Sequence, residues 1–95
     1  MGRVASEPSI SDIVHALKAE HLRSLEKHGD WSGYTVDEMV TATMAEVREF
    51  LTAHTLGDTT GPHGMLIEGL QSMNCFAKTL MELSRREICQ GVKTT

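Results

Sequence analysis

No stretch of this chain is apolar for the roughly eighteen or more residues that a membrane span needs, and no apolar core of a secretory signal marks its start. Basic residues are in short supply. Nine Lys and Arg stand against thirteen Asp and Glu, leaving a net charge of −4, which disfavours nucleic acid as a partner. A phosphorylated ligand would therefore need a cation as intermediary. Only two cysteines occur, Cys75 and Cys89. They suit a reduced compartment better than a disulfide framework, and their spacing has no zinc-site pattern. No strand pair, internal repeat or low-complexity segment is visible. The start, Met1-Gly2-Arg3-Val4-Ala5-Ser6, fits the short N-myristoylation pattern. No polybasic stretch or second acyl site accompanies it, and a single chain anchors weakly. The expectation is a cytoplasmic protein with no membrane partner.

What is present is helical. All 95 residues fit one small domain, with residues 1–8 and 92–95 expected as flexible ends. A core this size buries only about 60–65% of the extended chain's surface, so sharing an apolar face with a second copy would add stability. A first helix is predicted from about Ser9 to Lys27, with Ser9 and Asp12 forming a capping box and His28-Gly29 marking its end. Ile10, Ile13, Val14, Leu17, His21 and Leu25 form its stripe. The connector Gly29-Asp30-Trp31-Ser32-Gly33-Tyr34 holds the only Trp and the only Tyr. Trp31 there is read as a plug over the core or as a stacking surface for a ligand's ring. A second helix opens with the capping box Thr35-Val36-Asp37-Glu38 and ends at Leu56-Gly57. A third runs from about His63 to Ile88. Its main stripe is Leu66, Leu70, Met73, Ala77 and Leu80, widened by Ile67, Phe76, Met81 and Leu83, so it is expected to be central or in a subunit interface. Arg85 to Gln90 is expected as a short fourth helical turn or a frayed end. The fold class is all-α: an antiparallel bundle of three main helices, with that short fourth, assembled as an oligomer.

Glu46 and Glu49 stand three apart, and Glu68 and Gln71 repeat the spacing. Three residues is close to one helical turn, so each pair projects from one face. Two packed helices could bring three carboxylates and an amide to one point. Carboxylates so gathered repel unless protons or a cation hold them, and hard ions such as Mg²⁺ or Mn²⁺ prefer oxygen ligands. On the third helix Glu68, Gln71, Cys75 and Lys78 follow one face. A charge buried there needs a partner; alternatively Glu68 is solvated near the helix start, beside the positive end of the dipole.

Glu46-Val47-Arg48-Glu49, a spacer, and Glu68-Gly69-Leu70-Gln71 resemble the paired motifs of the MazG-like all-α nucleoside triphosphate pyrophosphohydrolases, Glu-x-x-Glu followed by Glu-x-x-Asp. The run from His28 through Leu83 is similar to that family's helix–loop–helix core. The resemblance implies hydrolysis of a nucleoside triphosphate between the α and β phosphates, giving monophosphate and pyrophosphate. It implies Mg²⁺ as cofactor, Mn²⁺ being an alternative, with Glu46, Glu49, Glu68 and Gln71 as ligands and Glu46 and Glu49 as the catalytic pair. It implies a homodimer or homotetramer. Two departures stand out. Gln71 replaces the final Asp, and Ala45 occupies the place of a further Glu found in many members. An amide oxygen ligates Mg²⁺ but carries no charge and accepts no proton, so the activity is expected to be weakened or reduced to nucleotide binding.

Lys78, His63 and Trp31 complete the expected substrate contacts. His63 lies at a helix N-terminus, where backbone N–H groups attract anions, or serves as a loop-packing residue. His15, His21 and His28 form no His-x-x-x-His pair and are expected at the surface or core edge. Gly61 and Gly64 lack a following Walker lysine. Cys75 is expected to pack rather than react. A reading of another class is a non-catalytic helical protein-interaction module, with solubilising acids and a methionine-rich surface on Met65, Met73 and Met81. Burial of the three glutamates discriminates the two.

Overall fold

The computed structural model describes residues 8–91, with side chains to residue 87. The acylation pattern at Met1–Ser6, the expected flexible ends apart from Pro8, and the Cys89 side chain lie outside the described residues. Three helices make up the described chain, with no strand among them: α1 (Ile10–His28), α2 (Val36–Leu56) and α3 (Met65–Gly91). No helix is long and apolar enough to cross a membrane among these residues. Local chemistry sets the ends. Asp12 N–H donates to Ser9 Oγ at 3.3 Å while Ser9 N–H donates to Asp12 Oδ2 at 2.8 Å, closing the box that starts α1. Thr35 and Glu38 do the same for α2, at 3.1 and 2.9 Å. Both helices stop at glycines with positive φ, Gly29 at 77° and Gly57 at 72°, a conformation that a side chain would strain.

The expected fourth turn is instead the C-terminal part of α3, which runs unbroken to Gly91. No glycine or proline interrupts the sequence between Gly69 and Gly91, and Glu82 ties Arg85 and Arg86 to the same helix face, with Arg86 Nε donating at 2.8 Å. α3 also begins two residues later than expected. Asp58 organises the preceding loop, accepting from Gly61 N–H at 2.9 Å, while Met65 N–H donates to Asp58 O at 2.9 Å.

α3 packs against both α2 and α1, whereas α1 and α2 make no close backbone contact with each other among the described residues. The side chains that fill this junction differ from expectation. Glu68, Ser72, Asn74, Lys78 and Glu82 of α3 are buried, while the apolar stripe through Leu66, Met73, Phe76 and Leu80 faces out, Leu66 being 60% and Leu80 62% exposed. Among the described residues, the hydrophobic side chains buried within one chain are Trp31, Met39 and Ala53. Helical periodicity reveals that α3 has a polar and an apolar row; it does not say which row meets the rest of the same chain.

Candidate metal centre

Glu46 and Glu49 come from α2 and Glu68 from the first turns of α3. Gly69 lets these two helices approach: a Cβ there would lie 3.3 Å from Phe50 Cε1. Ligand oxygens of the three glutamates lie within 4.8 Å of one another. Glu68 is buried at 2% exposure, Glu46 is half-buried and Glu49 is exposed. Glu68 Oε2 meets His63 Nδ1 at 3.3 Å, whereas Glu68 Oε1 and Glu46 Oε1 are buried without a hydrogen-bond partner. Burial first, then the charges of Glu49 and Glu68, pushes the Glu46 carboxyl up to about 7. Burial and Glu68 also raise Glu49. Two orphaned carboxylate oxygens beside a third carboxylate are a set that a hard divalent cation fits, since it would supply the missing opposite charge.

Beside the cluster a cleft of about 330 Å³ opens between α1 and α2, with α3 as its floor. Glu46, Gln71 and Lys78 line it, together with Glu20, Arg23 and Lys27 from α1. Gln71 thus borders the same cleft as Glu46. Lys78 is buried, its Nζ donating to Ser24 Oγ at 3.2 Å and Gly29 O at 3.0 Å, and burial pulls its pKa below the usual lysine value. That ammonium also sits 4.8 Å from the Trp31 ring centroid. Trp31, 6% exposed, stacks on Tyr34 with centroids 5.3 Å apart. Trp31 is thus largely enclosed while still bordering the cleft, and Tyr34, 40% exposed, borders it with the more accessible ring. His63 stands at the mouth of the carboxylate cluster, away from the cleft's lining.

Sequence reasoning missed Glu20, Tyr34 and Asn74. Glu20 lines the cleft, pairs with Arg23 at 2.6 Å and adds its charge to those raising Glu46. Nothing local announces it, because α1 reaches the site only through tertiary packing. Asn74 did carry a signal, a polar amide at helical spacing from Gln71 in an apolar helix. Cys75 is half-buried, with burial pushing its thiol up to about 11, which leaves it unreactive at neutral pH. No family model, curated protein or solved structure matches the chain, so the site is read from its own geometry.

Proposed function

We propose that this chain binds a nucleoside triphosphate with Mg²⁺ or Mn²⁺ and hydrolyses it to monophosphate and pyrophosphate, weakly for want of a fourth carboxylate. The observation that carries this reading is the pair of buried, unpartnered oxygens on Glu46 and Glu68 beside Glu49. Solubilising surface acids have no reason to turn inward and face one another, since that costs desolvation and repulsion. In this reading Glu46 and Glu68 hold the cation, with Gln71 adding a neutral oxygen. A bound divalent ion would supply charge neutralisation for the phosphates and acidify water. Arg23, Lys27 and Lys78 line the cleft as further neutralising charges. One water is consumed: its oxygen bonds to the α phosphorus, the bond to the bridging oxygen breaks, and its proton passes to a carboxylate. Glu49 is the proposed acceptor, being the solvent-facing member with a raised pKa.

The outward apolar row of α3 motivates the second half of the proposal: an antiparallel helical unit completed by one or three further copies. The groove lined by Ile13, Val47, Phe50, Leu66, Leu70 and Met73, about 550 Å³, continues that row, and packing it against a second copy would supply the hydrophobic core that one chain lacks. The cytoplasm, where such substrates occur, is the proposed location. The interaction-module reading draws on the same exposed residues but leaves the carboxylate cluster unexplained.

Pyrophosphate release from a panel of ribo- and deoxyribonucleoside triphosphates, with Mg²⁺ and with Mn²⁺, tests the reading. Glu49→Gln should abolish release, and Gln71→Asp should raise it about tenfold or more by restoring a charged ligand. Absence of both cleavage and binding across the panel would overturn the functional half and leave the fold.

A further inference from the structure

We infer that Asn74 reads the base of the bound nucleotide, donating its amide N–H to a ring carbonyl oxygen, with His21 as the positioning residue. This rests on the nucleotide reading above and adds a preference for keto bases, uracil, thymine or guanine, over the amino bases cytosine and adenine.

Asn74 is 3% exposed yet lines the cleft. A buried amide carries two donor hydrogens and two acceptor lone pairs, and each left unmade is costly. Its one hydrogen bond among the described residues joins His21 Nδ1 to Asn74 Oδ1 at 2.9 Å. The imidazole N–H donates and the amide oxygen accepts, which fixes the rotation of the amide plane and leaves its NH₂ unmatched. No acceptor from the described residues faces that nitrogen, and the residue borders the cleft. An amide whose oxygen is fixed by His21 across the α1–α3 junction, in a residue that is itself buried and borders the cleft, is oriented to offer its N–H groups to an acceptor on a ligand.

The surroundings fit a heterocycle. The exposed ring of Tyr34 lines the same cleft, backed by buried Trp31, and aromatic faces of this kind stack bases whatever their sequence. Glu46 and Asn74 line the same cleft of about 330 Å³, which leaves room for a sugar between phosphates at the carboxylates and a base at Asn74. Uracil and thymine present an acceptor oxygen at the 4 position and guanine one at the 6 position, where cytosine and adenine present an amino donor. Donor facing donor leaves both unpaired, so the mismatch is rejected.

Equilibrium binding of non-hydrolysable uridine and cytidine triphosphate analogues, with Mg²⁺, tests the assignment. The unmodified chain should favour uridine by about tenfold. Asn74→Asp is isosteric and turns the donor into an acceptor, so the preference should shift toward cytidine. His21→Phe should shrink the ratio while stabilisation by Mg²⁺ alone stays unchanged, a split that general loosening of the fold would not produce. An unmoved ratio in Asn74→Asp, with both analogues still bound, overturns base reading and spares the nucleotide site. Failure of the unmodified chain to bind either analogue sinks both proposals.

Discussion

Glu46 carries the sharpest consequence at the scale of single residues. Folding raises its pKa from 4.5 to about 7, so the folded chain holds a proton that an unfolded one releases. Stability therefore falls as pH rises through that window and levels off above it. In chelator-treated buffer at about pH 8, Glu46→Gln should stabilise the protein, on the order of 1 kcal/mol once solvent screening of a half-buried group is allowed for. Thermal melting should show a rise of roughly 4–8 °C, vanishing at about pH 4 where both forms are neutral. Added Mg²⁺ should reverse the order by stabilising the unmodified chain more. Unchanged melting at both pH values would mean that Glu46 is solvated. At this scale the sequence was informative about Glu46, Glu49 and Glu68, because spacing of one helical turn places side chains on one face. It was silent about Glu20 and about the His21–Asn74 pair, whose partners are 53 residues apart.

Among the elements, the two N-caps and both glycine stops were legible because each is chemistry within a few residues. The inward row of α3 was not, because orientation is settled only by what packs against it. That row also holds the α1–α2 connector. Arg86 Nη2 donates to Tyr34 O and, at 3.5 Å, to Ser32 O, while Lys78, about two turns earlier, holds Gly29 O. The Glu82 carboxylate keeps Arg86 extended toward the connector and is itself held below the usual carboxylate range, Arg85 being the main cause. Arg86→Ala should cost about 1–2 kcal/mol, read as a drop in the denaturation midpoint. It should also loosen the Trp31–Tyr34 stack, read as increased quenching of Trp31 fluorescence. A normal midpoint with normal quenching would show that the connector stands without this clamp.

For the whole molecule, the distribution of polar and apolar side chains is reversed relative to a free-standing domain, with Glu68, Asn74, Lys78 and Glu82 inside and Phe76, Leu80 and Leu66 outside. Charged substitution on that outer row, Phe76→Glu or Leu80→Glu, should convert the proposed assembly to monomers in light scattering and lower the melting temperature. An unmodified chain that is already monomeric at tens of micromolar would contradict the assembly proposal; specific interfaces bury about 1,200–2,000 Å². The α1 side and the α2 side of the cleft are each packed on α3, while α1 and α2 make no close backbone contact with each other among the described residues. A ligand lying across the cleft would act as a staple between two helices whose backbones meet only through the connector and α3, so occupancy and rigidity would rise together.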